Sequence, residues 1–115
     1  MSFIDDNKAM FTVRHYVTED EQDPFQEWFK KLRDPIAKVQ VLKRVNRIEG
    51  GNFGDHKPCR EGVWELRIDQ GPGYRVYYAL ADTVVLLLCG GDKGSQDAEI
   101  ERAIGYWKEW QRRTV

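Results

Sequence analysis

Apolar positions along the chain recur with a period near two in three stretches and near 3.6 in three more, and a seventh stretch is a short unbroken apolar run, which predicts a mixed fold of strands and helices. Phe11-Thr-Val-Arg-His-Tyr-Val alternates, with Phe11, Val13 and His15 on one side and Arg14 and Tyr16 on the other. Phe25, Trp28, Phe29 and Leu32 then stand at i, i+3, i+4 and i+7, an apolar helical stripe. Asp23-Pro24 starts that helix, and Asp34-Pro35 repeats the cap-and-proline signal, so a second helix follows at once. Val39, Leu42, Val45 and Ile48 share one side of the second helix, with Lys43, Arg44 and Arg47 on the opposite side, and Gly50-Gly51 closes it. Residues 51–60 read as loop.

Three strands come in quick succession after that loop. Val63–Ile68 sets Trp64, Leu66 and Ile68 against Val63, Glu65 and Arg67. Gly71-Pro72-Gly73 turns the chain into Tyr74–Ala81, where Tyr74, Val76, Tyr78 and Leu80 oppose Arg75, Tyr77 and Ala79. Val84–Cys89 is apolar throughout, as a strand covered on both faces would be. Ser95 is placed to cap a last helix with the stripe Ile100, Ala103, Ile104 and Trp107. The expected fold is α+β: an N-terminal edge strand, a two-helix hairpin laid on an antiparallel β-meander, and a C-terminal helix.

Composition adds bounds. A chain of 115 residues with 41% hydrophobic positions can bury one core, so residues 1–115 read as a single domain, with 1–10 as a flexible leader. No stretch approaches the ~20 apolar residues of a membrane span. The first residues lack a secretion-signal pattern, so a soluble, cytoplasmic protein is expected. Two cysteines and two histidines offer little for a metal site, and neither metal nor cofactor is expected; Cys89 reads as a buried, inert thiol.

The net charge of −1 conceals an uneven distribution. Residues 1–27 hold two bases against seven acids, whereas residues 28–67 hold ten bases against five acids. That leaves room for a local basic face able to bind a polyanion. The cations of the second helix read either as an ordinary solvated face or as the border of a nucleic-acid path. Its basic side is also a docking surface open to an acidic partner.

Arg67 and Arg75 carry the candidate chemistry. Simple meander register puts both on one sheet face, where like charges on neighbouring strands destabilise. Either Glu65 neutralises one as a structural ion pair, or the two form a phosphate clamp, since a guanidinium fork matches phosphate oxygens. Lys93, in Gly90-Gly-Asp-Lys, is an exposed turn lysine or a third cation of the same site, in a glycine-rich turn that lets backbone N–H groups approach a ligand. His56, Lys57 and Arg60 add charge from the loop, and Tyr77 shares the face of Arg75 and could stack on a base. Cations with aromatics suit RNA. Attack by an RNA 2′-OH on its own phosphodiester would need protein groups to stabilise the developing charge. Proton transfer would fall to Lys93, Tyr77 or His56; Asp92 beside Lys93 favours its charged form and an acid or electrostatic role.

Four segments, Gly51-Asn-Phe-Gly-Asp, Gly62-Val-Trp-Glu-Leu-Arg-Ile, Gly71-Pro-Gly-Tyr-Arg-Val-Tyr-Tyr and Leu88-Cys-Gly-Gly-Asp-Lys-Gly-Ser-Gln, together resemble the HigB-like addiction-module killer proteins. These belong to the RelE/ParE toxin superfamily of type II toxin–antitoxin systems. The resemblance spans about Phe25 to Ala103. It implies a compact microbial RNase fold and metal-independent cleavage of mRNA on the ribosome. It also implies restraint by a cognate antitoxin, often a helix-turn-helix protein of the HigA type. The functional cations then fall on Arg67, Arg75 and Lys93. Cys59-Arg60 and Gly94 depart from the pattern near the loop and the turn. The superfamily also holds gyrase poisons, so fold membership alone does not fix activity.

Overall fold

The computed structural model describes residues 10–114; the expected leader at 1–10 lies outside them except for Met10. β1 (Thr12–His15) leads through an acidic connector to α1 (Pro24–Lys31) and α2 (Pro35–Ile48). β2 (His56–Pro58), β3 (Val63–Ile68), β4 (Tyr74–Ala81) and β5 (Val84–Asp92) follow, then a 3₁₀ turn (Lys93–Ser95) and α3 (Gln96–Arg113). The strands form one five-stranded sheet in the order β1-β5-β4-β3-β2. β2 to β5 pair antiparallel, while β1 joins β5 in parallel, so the sheet is mixed and β1 is an edge strand. β2 departs from the loop expected at 51–60: three residues are too few to show alternation.

Both proline-led helices start as their caps dictate. Asp23 accepts the Gln26 N–H at 3.0 Å, and Asp34 accepts those of Ile36 and Ala37 at 2.9 and 3.2 Å. The helix hairpin covers one sheet face, with Phe25, Val41 and Ile48 on Leu66, Val76, Tyr78, Val85 and Leu87. α3 covers the other, with Ile100, Ala103, Ile104 and Trp107 on Val63, Tyr77, Ala79, Leu86 and Leu88. β5 lies between the two cores, which explains its unbroken apolar run.

Two details of helix phase differ from expectation. α2 packs through Ala37, Val41 and Ile48, while Val39 and Leu42 point outward, about half exposed. Arg44, expected on the outer side, turns inward. Its guanidinium donates to the carbonyls of Arg67 (2.6 Å), Phe53 (3.0 Å) and Asp55 (2.9 Å). Burial there lowers its pKa from the ordinary arginine value. Ser95 takes the N-cap position of α3 without a side-chain cap bond. It instead completes a capping box with Asp92 over the 3₁₀ turn.

Gly90 and Gly91 are strand residues rather than a ligand-binding turn. A Cβ on Gly90 would lie 2.2 Å from the Trp28 ring, and one on Gly91 would lie 2.8 Å from Glu99 Cγ. Their lack of side chain lets α1 and α3 close on the two faces of β5. No helix among the described residues is long and apolar enough to cross a membrane.

Candidate functional site

The meander register places Arg67 of β3 directly across from Arg75 of β4. Both rise from the face that carries Glu65 and Tyr77, as alternation predicts. The turn after β5 brings the third cation: the Lys93 N–H donates to the Gly73 carbonyl at 2.9 Å, tying the 3₁₀ turn to the β3–β4 connection. The result is an open cleft of about 410 Å³. Arg67, Arg75 and Lys93 line it together with Asp55, Asp69 and the 71–73 turn.

Each arginine is set beside a carboxylate, which resolves the like-charge conflict. Arg67 Nε and Nη2 reach one oxygen of Asp55 at 3.1 and 2.8 Å. That hydrogen bond holds the Asp55 carboxyl below its ordinary range and raises Arg67. The Asp55 backbone is itself fixed, since its carbonyl accepts from Arg67 N–H at 2.9 Å and from Arg44. Arg44 therefore positions both members of the pair.

Arg75 meets a different partner. Its Nε lies 3.0 Å from Oε2 of Glu65, a carboxylate with no exposure to solvent, while the Arg75 side chain is 13% exposed. The Nε–H is not aimed at that oxygen and makes no hydrogen bond. The attraction is thus one of charge. Lys57 Nζ, at 3.8 Å, and Gln96 Nε2, at 3.4 Å from both oxygens, complete the surroundings of Glu65. The ion-pair alternative raised by the sequence therefore applies to Arg75, and a second pair, with Asp55, applies to Arg67. Among the described residues Lys93 is exposed and in no salt bridge.

The other sequence candidates are not gathered here. Tyr77 is a correction: it is fully buried under α3, so no base can reach its ring. Desolvation raises its pKa well above the ordinary tyrosine value, and a buried phenol of that kind is no proton donor to the cleft. His56 is exposed but lies away from the cleft. Paired with Leu66, it faces the helix-hairpin side of the sheet. There it packs against Phe53 and Trp64 at 5.4 and 5.6 Å between ring centroids. Arg60 is held by Glu101 of α3 and does not line the cleft. Lys57 shares the Glu65 face, one strand further out.

Sequence reasoning missed Asp55 and Asp69 as cleft residues and Arg44 as the support of Asp55. Asp55 ends the Gly51-Asn-Phe-Gly-Asp segment, and only its position in the fold shows that it faces Arg67. Cys89 is buried and burial pushes its thiol up to about 12, in keeping with an unreactive core position.

The chain matches no protein-family model. It is 49% identical over 80 residues to a protein of Haemophilus influenzae named "Uncharacterized protein", a match covering 69% of this chain and 81% of that one.

Proposed function

The chain belongs to the family of that Haemophilus influenzae protein, and we propose that it acts as a toxin of the RelE/ParE superfamily, a HigB-like, ribosome-dependent mRNA endonuclease. One observation carries the reading: three cations from β3, β4 and the turn after β5 converge on one open cleft. In the proposed reaction the RNA 2′-oxygen forms a bond to the adjacent phosphorus and the bond to the 5′-oxygen breaks. The 2′ proton leaves to a base, a proton is delivered to the departing 5′-oxygen, and the products are a 2′,3′-cyclic phosphate and a 5′-OH end. No metal is required by this route. Negative charge grows on the non-bridging oxygens, where arginine forks stabilise it.

The roles follow from the surroundings. Arg75, held by charge but not by a directed hydrogen bond, is the group best placed to follow the phosphate as it becomes more negative. Arg67 must exchange Asp55 for phosphate, so substrate binding and release of Asp55 are coupled. Lys93, exposed and in no ion pair among the described residues, supplies an acid or a fixed charge. With Tyr77 buried and His56 on the other face, proton removal is left to Asp55 or Asp69 at the cleft, or to ribosomal RNA groups. A cognate antitoxin of helix-turn-helix type would hold the activity in check in the cytoplasm.

The test is a programmed ribosome carrying a defined mRNA, incubated with purified protein. Cleavage in the decoding site with 2′,3′-cyclic phosphate ends supports the proposal, and Arg75→Ala should slow it by ~10²–10³. Intact mRNA would sink it. A second reading, a non-catalytic antitoxin-binding relative, is favoured by the carboxylate beside each arginine. Under that reading the wild type and Arg75→Ala leave mRNA equally intact.

A further inference from the structure

α2 presents two apolar faces, and the fold uses one. Ala37, Val41 and Ile48 are fully buried against the sheet. On the opposite side Ile36, Val39 and Leu42 are 58%, 50% and 49% exposed. Steps of three residues at ~100° each keep these three within an arc of about 120°. Four large hydrophobic residues among those described are at least 49% exposed, and three of them lie on this one face over two turns. Isolated exposed aliphatics need no explanation, but a contiguous row does.

The charges around the row decide what can cover it. Lys43 and Arg47 are exposed on the same side, Lys38 flanks it, and α2 has no carboxylate in its fourteen residues. A second copy laid against this face would bring Lys43 and Arg47 against their own kind with no acid from either helix, a juxtaposition that costs affinity. RNA would find cations but no aromatic ring to stack on at the centre. A membrane surface would find no Trp or Phe on α2 to anchor in the headgroup region. We infer that the outer face of α2 docks an acidic amphipathic helix of another protein, whose aliphatic stripe covers Ile36, Val39 and Leu42 while flanking Asp or Glu side chains meet Lys43 and Arg47. Ridges of i, i+3 and i, i+4 side chains pack between such helices.

This inference is independent of the cleft's chemistry, since α2's outer face lies away from the sheet. The experiment is selection of a displayed library of amphipathic helical peptides on the full chain, with counter-selection on the double variant Val39→Asp, Leu42→Asp. Both sites are half-exposed, so the variant should fold, and far-UV circular dichroism checks that it does. The expected winners carry Asp or Glu beside an aliphatic stripe and bind the variant at least about tenfold more weakly. Lys43→Glu should shift the preference away from acidic peptides. The inference is overturned if winners show no excess of acid or bind the double variant equally. Dimerisation of the chain that Val39→Asp abolishes would also overturn it, as would retention of this face by phosphatidylglycerol vesicles.

Discussion

Replacing Glu65 by Leu removes a carboxylate that sits fully buried 3.0 Å from Arg75 Nε. At an effective dielectric of 20 that separation corresponds to about 5 kcal/mol of attraction, set against several kcal/mol of desolvation for the carboxylate. The pair as a whole is therefore close to neutral, but breaking it leaves Arg75, only 13% exposed, without its counter-charge. Loss of one partner of a buried pair costs about 3–5 kcal/mol. Arg75 keeps a little solvent contact, which puts Glu65→Leu near about 3 kcal/mol, or a fall in Tm of roughly 10–15 °C for a domain this size. Arg75→Met should cost a similar amount, because Lys57 at 3.8 Å is a half-exposed and distant substitute. The double variant Glu65→Leu, Arg75→Met should be less destabilised than the two singles together, by about 2–3 kcal/mol. Urea unfolding of the four proteins measures the coupling. Additive losses, or a Glu65→Leu cost under about 1 kcal/mol, would refute the claim that Glu65 is there to hold Arg75.

Other consequences are local. Gly90→Ala would drive a methyl to within 2.2 Å of the Trp28 ring, and should destabilise by about 1–3 kcal/mol in thermal melts; Trp28→Leu in the same background should restore part of the loss. Asp55→Asn frees Arg67 from an exposed ion pair worth at most about 1 kcal/mol, so affinity for a labelled single-stranded RNA should rise up to about fivefold by anisotropy; a fall would show that Asp55 helps to shape the anion site. The Tyr77 hydroxyl has no hydrogen-bond partner among the described residues, so Tyr77→Phe should be neutral or stabilise by about 1 kcal/mol at pH 7. Because burial raises its folded-state pKa, its contribution is intact below the unfolded pKa of about 10 and is lost as pH climbs above it, at about 1.4 kcal/mol per pH unit. The variant should therefore lose stability less steeply than wild type between pH 10 and 12 in chemical denaturation, and equal slopes would contradict the burial argument.

The meander was legible because its alternation is strict: Leu66 against Arg67 and Val76 against Arg75 allow one register, and the structure adopts it. The Asp-Pro starts of α1 and α2 were legible for the same local reason. α2's phase was not, because Val39-Leu42-Val45-Ile48 and Ala37-Val41-Ile48 are both aliphatic rows and only the sheet chooses between them. Arg44 went with the wrong row, and its role at three carbonyls depends on a loop that has no periodic signal. β2 was too short to read, and its pairing decides that Lys57 and His56 face opposite ways. Tyr77 lay on the expected face; what the sequence could not show is that α3 extends over it while leaving Arg75 at the rim. The glycine pair before Lys93 was misread because close packing and ligand approach demand the same residue.

The central claim is that the Arg67–Arg75–Lys93 cleft cuts mRNA during translation, and mapping transcript 5′ ends after brief induction in growing cells tests it most directly. New 5′-OH ends at fixed positions within translated frames, absent with Arg75→Ala and absent when initiation is blocked, are the predicted result. Growth arrest with intact transcripts, or the same cuts from the Arg75→Ala variant, would contradict it.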